Sequence, residues 1–597
     1  MSAIQQLITE HMDIWTVADT RKRSGRGRAS SNAGSVYGVK KLRELILELA
    51  VCGKLVPQDN NDEPANELLK RIQVEKAKLV AEGKIKKNKP LAVIADDEQP
   101  FELPQGWEWT SLLNVAVINP RNAASDDIEA SFVPMTLIGS AFNYKHQDEK
   151  RLWKEIKQGF THFAEGDIGV AKITPCFENS KACVFENLEN GLGAGTTELH
   201  IVRPVVNTLN PRYVLAYLKS PRFLELGESK MTGTAGQKRL PKDFVESNPF
   251  PLPPLPEQHR IVAKVDELMT LCDQLEAQHS NAAEAHEKLV SHLLGTLTQS
   301  QSADDFSSNW HRIAAYFEVL FTTEASIDAL KQTLLQLAVM GKLVPQEAND
   351  ESASELLKRI QAEKLKLVAE GKIKKDKPLA PIGEDGKPFE LPKNWKWVQW
   401  IELTAINDAA FKRGPFGSSL RKDMFVSSGY KVYEQYCPIN DDCSFERYFV
   451  TKEKFDSMKD FAVKANDFLI SCSGVTLGRI TQVPEVFNEG IINQALLRVR
   501  MNREYIDSDF FKLLFRSPYF QKMIFENSTG SAIPNVKGVQ DLKKMAVPFL
   551  PIAEQKRIVA KVDALIAICD QLQIRINQVS RQQQLLADSF VAHAVAV

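Results

Sequence analysis

The chain carries one long segment twice, and this duplication limits what it can fold into. Lys54–Lys87 reads KLVPQDNNDEPANELLKRIQVEKAKLVAEGKIKK. Lys342–Lys375 repeats it with 6 differences in 34 positions, at an offset of 342 − 54 = 288 residues. Identity at this level indicates an internal duplication, so the fold must contain the same element twice.

A second matching pair brackets two regions that do not resemble each other. Glu257–Leu275 and Glu554–Leu572 differ at 5 of 19 positions, at an offset of 554 − 257 = 297 residues. The two offsets differ by 297 − 288 = 9 residues, which must lie in the unlike regions 110–256 and 398–553. We call the duplicated segments the frame of each half, and the unlike regions 110–256 and 398–553 the two inserts. Because the frames are nearly identical and the inserts differ, we expect the function to depend on the inserts.

The length, net charge, cysteine spacing and apolar content of the chain exclude some classes of protein. A length of 597 residues suggests roughly four structural units. With 75 basic and 76 acidic side chains the formal charge is −1, so composition gives no argument for nucleic acid or membrane. The eight cysteines show no CxxC or zinc-like spacing, so we predict neither a metal site nor disulfides. No signal core or run of about 18 apolar residues occurs, which predicts a cytoplasmic protein.

Periodicity and composition divide the chain into eight segments. Basic and Gly/Ser-rich residues predict a flexible tail, for which a solvated role is favoured over a DNA-contacting arm. The basic runs Lys84–Lys89 and Lys372–Lys377 fit a solvated face or phosphate contacts equally well. We predict a basic tail at 1–37, a conserved helical segment at 38–109, a variable domain at 110–253, a long helix at 254–298, a connector at 299–323, a second conserved segment at 324–397, a second variable domain at 398–550 and a second long helix at 551–597.

The variable domains are predicted to be mixtures of short strands and helices. Apolar runs bounded by Gly, Asn and Pro predict strands at 168–173, 182–185, 198–202, 468–471, 479–483 and 495–499. One helix is predicted in each domain, over 211–226 and 508–525. The fold class is therefore α+β, with two globular mixed α/β domains.

The long helices show the alternating 4-3 spacing of a coiled-coil seam. The seam continues to Leu289 and Leu293 in the first helix and to Val579 and Leu586 in the second. Nearly 40 residues at 1.5 Å each give a rod of roughly 60 Å. The simplest arrangement is antiparallel pairing, with a pseudo-twofold axis relating the halves. The principal seam positions are Ile261, Val265, Leu268, Cys272, Leu275, Ile558, Val562, Leu565, Cys569 and Leu572.

Motifs of catalysis are missing from the sequence. No GxxxxGK[ST] loop occurs, so we expect no nucleotide hydrolysis. Ser247–Pro251 lacks the second proline of an amino-methyltransferase motif, and Glu155–Lys157 lacks the companion aspartate of a metal-dependent nuclease. His146, His162 and His200 have no paired nucleophile in the sequence. We predict a chain that is not an enzyme and binds no metal or cofactor directly.

The inserts instead contain the side chains that read DNA. Lys, Arg, Ser, Thr, Asn and Gln in Gly-marked loops can contact phosphates and base edges. An ordinary polar loop remains the alternative at each position, and a protein-interaction scaffold or a self-sufficient methylase or nuclease is the alternative for the chain. The candidates are Lys172, Thr174, Lys181, Thr196, Thr197, Gln237, Lys238 and Arg239 in the first insert, and Lys412, Arg413, Ser418, Ser419, Ser471, Ser473, Thr476, Asn493, Gln494, Ser531, Asn535 and Lys537 in the second.

The layout resembles the specificity (S) subunit of type I restriction-modification enzymes. The resemblance rests on the duplicated segments, the LPxxWxW and EQxRIVAKVD sequences that follow in each half, the stretch Gly166–Lys181, and the Gly-Thr and Gly-Ser loops before the long helices. It covers nearly the whole chain from about residue 38, and is greatest for the subgroup with long conserved segments before each variable region.

The resemblance implies a function, partners and cofactors. Each variable region would be a target recognition domain that reads one half of an asymmetric, bipartite sequence in double-stranded DNA. The long helices would fix the spacer and bind two methyltransferase subunits, which use S-adenosylmethionine. Motor-endonuclease subunits that use ATP and Mg²⁺ would join for restriction, and none of these cofactors would bind this chain.

Overall fold

The computed structural model divides the chain into two compact units. The first contains residues 1–283 and 577–597, and the second contains residues 284–576. Each unit therefore includes one recognition insert and part of both long helices. The structure describes residues 12–16, 36–87, 94–95, 98–234, 236–371, 373, 379–406, 410–416, 419–473, 476–525 and 536–596.

Helices form most of the frame, and short strands form most of the inserts. The helices are α1 Met12–Trp15, α2 Tyr37–Val51, α3 Ala65–Ala81, α4 Leu112–Val115, α5 Trp153–Ile156, α6 Pro211–Leu218, α7 Pro221–Lys230, α8 Lys242–Ser247, α9 Leu255–Gln299, α10 Ala303–Ala315, α11 Phe317–Leu320, α12 Glu324–Val339, α13 Ala353–Ala369, α14 Tyr436–Asn440, α15 Lys452–Ser457, α16 Ser508–Arg516, α17 Pro518–Phe525, α18 Val539–Lys543 and α19 Ile552–Ala596. None of the helices in the described ranges is long and apolar enough to cross a membrane.

The strands are equally short in both inserts. They are β1 Glu108–Ser111, β2 Ala116–Ile118, β3 Glu129–Val133, β4 Glu149–Leu152, β5 Thr161–Ala164, β6 Ile168–Ala171, β7 Ala182–Val184, β8 Leu192–Gly195, β9 Leu199–Pro204, β10 Pro249–Leu252, β11 Lys396–Gln399, β12 Phe411–Arg413, β13 Tyr430–Tyr433, β14 Phe449–Val450, β15 Phe468–Ser471, β16 Ile480–Gln482, β17 Gly490–Ile492, β18 Leu496–Val499 and β19 Ala546–Phe549. The six strands predicted from the sequence are all present, and each of their ends lies within two residues of its predicted position.

The first insert contains two four-stranded sheets, closed by a strand pair at its base. The sheet orders are β2-β9-β6-β7 and β4-β3-β8-β5. Strand β1 pairs antiparallel with β10, with Thr110 opposite Phe250, so the beginning and end of the insert lie side by side. This closure makes the insert a self-contained module within its frame.

The second insert repeats this plan with different strands. Its sheets have the orders β12-β18-β15-β16 and β14-β13-β17, and β11 pairs with β19 as β1 does with β10. Each unit thus combines an α/β insert with long frame helices. The predicted fold class, with two mixed α/β recognition domains, an internal repeat and two long helices, is confirmed.

In each unit a shorter frame helix packs on a long helix. Leu42, Leu45 and Ile46 of α2 are buried in one core cluster with Leu268 and Cys272 of α9. Each such side chain contributes about 1.5–3 kcal/mol when it leaves water. The principal seam residues therefore face the core of their own unit. The cysteines at equivalent seam positions are buried, and all eight cysteines of the chain are free thiols.

An ion pair at the edge of this packing is duplicated as well. Arg43 of α2 binds Asp273 of α9 at 2.5 Å in the first unit. Lys331 of α12 binds Asp570 of α19 at 2.7 Å in the second. The contact is therefore part of the repeated frame, although arginine in one copy is lysine in the other.

A buried carboxylate closes the base of each insert. Glu257 accepts hydrogen bonds from Trp107 Nε1 at 2.9 Å and from Gln58 Nε2 at 3.0 Å. Burial raises the pKa of Glu257, and these two donors act in the opposite direction. Glu554 accepts from Trp395 and Gln346 in the same way. The repeated LPxxWxW and EQxRIVAKVD sequences are thereby explained, because each tryptophan is bonded to the glutamate of the following motif.

A glycine ends the first helix of each frame because no other residue fits. Gly53 follows α2 with φ +72°, a left-handed conformation that favours glycine. A Cβ there would lie 2.4 Å from the Pro104 ring. Gly341 repeats the arrangement after α12, 2.4 Å from Pro392. The turn from helix to loop is thus fixed by the same close contact in both units.

Both long helices contribute to the core of each unit. In the first unit Ala587 of α19 belongs to the cluster that contains Leu268 and Leu275 of α9. In the second unit Val290 and Leu294 of α9 belong to the cluster that contains Cys569 of α19. These contributions fit the predicted antiparallel pair.

The seam prediction is wrong towards the ends of the long helices. Leu289 and Leu586 are each 49% exposed, whereas the following residues, Val290 and Ala587, are buried. A straight α-helix drifts by about 20° per heptad relative to a strict seven-residue repeat. Over the exposed middle of each helix this drift moves the buried stripe by one residue.

Two further expectations from the sequence need correction. The predicted flexible tail contains helix α1, whose Ile14 and Trp15 are buried against the frame. The basic composition of the tail concealed these two apolar residues. The insert helices predicted at 211–226 and 508–525 are each two helices, since Pro221 and Pro518 begin a new one. Proline cannot donate to the preceding turn and so interrupts the first helix.

Candidate nucleic-acid interface

In the first unit most of the predicted DNA-reading residues meet at one edge of a sheet. Strand β6 ends at Ala171 and β9 begins at Leu199, and these residues face each other. The Lys172 N–H donates to Glu198 O, and the Leu240 N–H donates to Lys172 O at 2.7 Å. We call residues 172–175, 196–198, 232–234 and 236–240 the first loop cluster. Of the candidates, only Lys181 lies outside it.

Charged side chains at this edge are held in place by each other. Arg239 is exposed and binds Glu198 through Nε at 3.0 Å and Nη2 at 2.8 Å. Its hydrogen bonds lower the pKa of Glu198, which is therefore ionised at neutral pH. Gln237, Lys238 and Thr197 are exposed beside the pair. This arrangement presents cationic and amide groups on the open side of the loops, as DNA contacts require.

Other candidates in the first unit shape the loops instead. Thr174 is buried, and its Oγ1 accepts from the Lys238 N–H at 3.1 Å. Thr196 Oγ1 accepts from the Glu198 N–H at 3.2 Å. Lys181 points away and donates to the Met135 carbonyl at 2.7 Å. These side chains position the cluster, and the sequence could not distinguish them from the exposed ones.

The second unit builds an equivalent edge. The Cys472 N–H donates to Ala495 O at 2.8 Å, and the Val536 N–H donates to Cys472 O at 3.2 Å. Cys472 thus takes the backbone position of Lys172. We call residues 472–473, 493–495 and 536–537 the second loop cluster. Gln494 is exposed within it, and Lys537 is half-buried at its border.

Strand β12 brings two basic candidates to the same edge. The Gly414 N–H donates to Leu496 O at 2.9 Å, and a Cβ on Gly414 would lie 1.8 Å from Asn493 O. The preceding Arg413 lies over the exposed ring of Phe416 at 5.1 Å. Lys412 binds Asp460 at 3.2 Å and lies 4.8 Å from the Phe461 ring centre.

The remaining candidates of the second unit divide into four groups. Ser471 is fully buried and is bonded to Thr476 O and to the Arg479 N–H, so it is not a surface contact. Asn493 Oδ1 accepts from the Ala495 N–H and shapes the turn, and Ser473 accepts through its carbonyl from Gln435. Ser419 and Thr476 are exposed. Ser418, Ser531 and Asn535 lie outside the described residues.

The basic runs of the frames are described only in part. Lys84 pairs with Glu82 at 2.8 Å, and Lys86 and Lys87 are exposed. Lys89, Lys372 and the lysines from 374 to 377 lie outside the described residues. A phosphate contact by these runs stays a hypothesis.

The histidines of the first insert have structural roles. Nε2 of His200 lies 3.0 Å from Leu240 O and donates to it, and burial lowers the pKa of this imidazole. Nε2 of His162 lies 2.9 Å from Lys157 O, and Nε2 of His146 accepts from the Glu186 N–H. Among the residues that the structure describes, no cluster of His, Cys, Asp and Glu could hold a metal ion.

Two acidic residues that the sequence did not single out organise the inserts. Asp167 binds Arg203 through both carboxylate oxygens, at 2.8 and 2.7 Å, next to β6. Asp467 binds Arg500 at 2.7 and 3.1 Å next to β15. Both follow Gly or Asn at a positive φ, in the pairs Gly166–Asp167 and Asn466–Asp467. This shared dipeptide was the available signal, but it predicts a turn and not a partner.

Comparison with known proteins identifies the family. The model of the type I restriction modification DNA specificity domain matches residues 179–285 and 417–581, one stretch in each half. The specificity subunit of the type I restriction enzyme EcoAI from Escherichia coli is 48% identical over 602 residues, which cover 99% of this chain and 100% of that protein. The chain belongs to the type I restriction enzyme specificity subunits.

A second relative of high identity agrees with this assignment. The EcoEI specificity subunit of Escherichia coli is 45% identical over 606 residues, covering 99% of this chain and all of the relative. The solved HsdS subunit of Thermoanaerobacter tengcongensis is 17% identical, with a TM-score of 0.38, over 83% of this chain and 98% of that one. For a specificity subunit, the DNA-reading interpretation of the inserts is supported over the interaction scaffold.

Proposed function

We propose that this specificity subunit reads an asymmetric, bipartite sequence in double-stranded DNA, one half with each insert. The observation that carries the proposal is the pair of loop clusters. They occupy equivalent sheet edges, and their backbones are joined by equivalent hydrogen bonds. Their side chains differ, with Lys172, Lys238 and Arg239 in the first and Ser473, Asn493, Gln494 and Lys537 in the second. Two loop clusters at equivalent positions but with different side chains are suited to reading two half-sites of different sequence.

Exposed and half-buried side chains in the loop clusters and beside them are the proposed DNA contacts. In the first unit these are Lys172, Thr197, Gln237, Lys238 and Arg239. In the second they are Lys412, Arg413, Ser419, Thr476, Gln494 and Lys537. Lysine and arginine side chains supply phosphate contacts, and bidentate contacts of Arg and Gln to base edges supply selectivity.

The duplicated frame is the proposed binding site for partner subunits. Nearly identical surfaces in the two halves suit two copies of one partner, which we infer to be methyltransferase subunits that use S-adenosylmethionine. Motor-endonuclease subunits that use ATP and Mg²⁺ would join the complex. The chain itself would be non-catalytic and would contribute selectivity to reactions that its partners perform.

The long helices are proposed to set the spacer between the half-sites. Each helix has 45 residues, and each contributes residues to both units. Readers on one face of B-DNA are separated by about one helical turn, roughly 34 Å. A continuous helix of this length can fix such a distance.

Exchange of one insert tests the proposal. Residues 110–248 would be replaced by the first recognition domain of another family member, and the methylated positions in host DNA would be mapped. We expect one half of the recognised sequence to change while the other half and the spacer stay the same. A change in both halves would contradict the assignment of one reader to each half-site.

A further inference from the structure

A buried lysine at the end of helix α6 contacts two loops of the first insert. Lys219 directly follows α6 and is only 6% exposed. Its Nζ donates to Ala141 O at 2.7 Å and to Ser180 O at 2.9 Å. The Ala141 N–H donates to Asn179 O at 2.8 Å, so the ammonium joins two loop segments that are already bonded to each other.

One of these segments continues directly into the first loop cluster. Between residues 173 and 181 the backbone is a compact turn, in which Phe177 N–H donates to Ile173 O and Lys181 N–H donates to Cys176 O. At its far end, Thr174 exchanges two hydrogen bonds with Lys238, one through the backbone and one through Oγ1. The position of Ser180 is thus connected to that of the exposed Lys238 and Arg239 through a short hydrogen-bonded turn.

The second unit has a cation at the same place. Lys219 and Arg516 are separated by 516 − 219 = 297 residues, the offset of the long-helix repeat. The next residues, Ser220 and Ser517, both accept from the N–H three positions later at the start of the following helix. Arg516 Nη2 donates to Asp441 at 2.8 Å and to Ile480 O at 3.4 Å.

The acceptors in the two units also correspond. Ala141 and Asp441 both have left-handed backbones, with φ of 51° and 50°. In the first unit the cation binds the main-chain oxygen of this residue, and in the second it binds the side chain. Two inserts of unlike sequence therefore hold the same left-handed residue against the end of the same helix. Arg516 and Asp441 are partly exposed, so the second contact is weaker than the buried first one.

We propose that Lys219 and Arg516 are positioning residues, each of which fixes the loop cluster of its own insert relative to the frame. The proposal rests on the proposed function, since the loops it positions are the proposed readers. Neither cation needs to touch DNA. Loss of one should reduce discrimination at one half-site and leave the other intact.

The test measures discrimination separately for each half-site. The full-length chain in its native complex would be titrated with duplexes that carry the recognised sequence, with one half-site replaced, and with both replaced. For Lys219→Met we expect at least a tenfold loss of discrimination at the first half-site. Affinity for the doubly replaced duplex and discrimination at the second half-site should stay within twofold. Arg516→Met should give the reverse pattern with a smaller loss.

Two further variants separate positioning from general stability. Arg516→Lys places in the second unit the cation that the first unit uses, and should keep discrimination near the wild-type level. If Lys219→Met fails to fold, Arg516→Met at its more exposed position decides the question. Equal losses at both half-sites, or unchanged discrimination in Arg516→Met, would overturn the proposal. Absence of discrimination by the wild-type complex would instead overturn the proposed function.

Discussion

At the scale of residues, we propose that the exposed Arg239 and the half-buried Glu198 belong to a reading surface that is ordered before DNA binds. The carboxylate holds the guanidinium in one orientation with two hydrogen bonds. An arginine that is fixed in this way loses less rotamer freedom when it forms a bidentate contact with a guanine. The acid is then a neighbour of the DNA, where it discourages contacts that would draw Arg239 away.

Substitution of Arg239 tests this role. We expect Arg239→Ala to weaken binding to the recognised sequence by about 1–3 kcal/mol and to relax selectivity at one position of the first half-site. The measurement is competition of single-base variants of the duplex against the recognised sequence. Arg151→Ala is a matched control, because Arg151 is also paired with a glutamate but lies on the other sheet of the same insert. Equal effects of both substitutions would contradict the assignment.

The buried Lys219 makes the stability of the first unit depend on pH. Burial lowers the pKa of this ammonium to about 7. In the unfolded chain the pKa returns to about 10.4, so between these values the unfolded state binds more protons and the free energy of unfolding rises with pH. Of the neighbouring groups, the Cys183 thiol has a pKa that burial raises to about 12, so this thiol stays neutral over the same range.

Chemical unfolding of the wild type and of Lys219→Met checks this dependence. From pH 7 to pH 9 we expect the wild type to gain about 2 kcal/mol relative to the variant, because one pKa unit corresponds to about 1.4 kcal/mol. Groups that titrate in both proteins cancel in the difference. Parallel pH curves would show that Lys219 is not the group responsible.

Residue roles were the part least accessible from the sequence. Composition pointed to the loops, but it assigned Ser471 and Thr174 the same role as Arg239. Burial separates them, and burial depends on sheet pairing between segments that are far apart in the chain. Lys219 gave no signal at all, because a lysine after a helix resembles an ordinary solvated residue until its acceptors are known.

At the scale of elements, local patterns were sufficient for most helices and strands. Strands β6, β7, β9, β15, β16 and β18 lie inside the predicted ranges or within two residues of them, because each is a short apolar run between turn residues. Errors arose where one local rule competed with another. The apolar pattern predicted one continuous helix in each insert, but Pro221 and Pro518 each begin a second helix. In the long helices the buried positions follow the 3.6-residue period of a straight helix and not a strict heptad.

The exposed middle of the long helix α9 provides a test of the spacer. Insertion of seven residues among positions 280–285 lengthens a helix by about 10 Å, which corresponds to roughly three base pairs. We expect either a longer spacer in the recognised sequence or loss of selective binding. Alanine at Ser280 and Asn281 is the control, because both are exposed and their replacement changes no length. An unchanged spacer after the insertion would contradict the role of the helices.

At the scale of the whole molecule, duplication with divergence is the central feature. The frame keeps its tryptophan–glutamate contacts, its glycine turns and its helix-to-helix ion pairs in both halves. The inserts keep their closing strand pair, the backbone geometry of one sheet edge and a carboxylate–arginine pair beside it, while most of their other side chains differ. Under the proposed function, such a chain can change what each insert reads while the surface of the frame stays the same.

The most direct test is a map of methylated bases in the genomic DNA of a host that carries this chain and its partner subunits, compared with a host that lacks the chain. We predict one chain-dependent motif, consisting of two unlike half-sites that are separated by a spacer of constant length, with one methylated adenine in each half. A palindromic or uninterrupted motif, or a methylation pattern that does not depend on the chain, would contradict the account of two unlike readers in one duplicated frame.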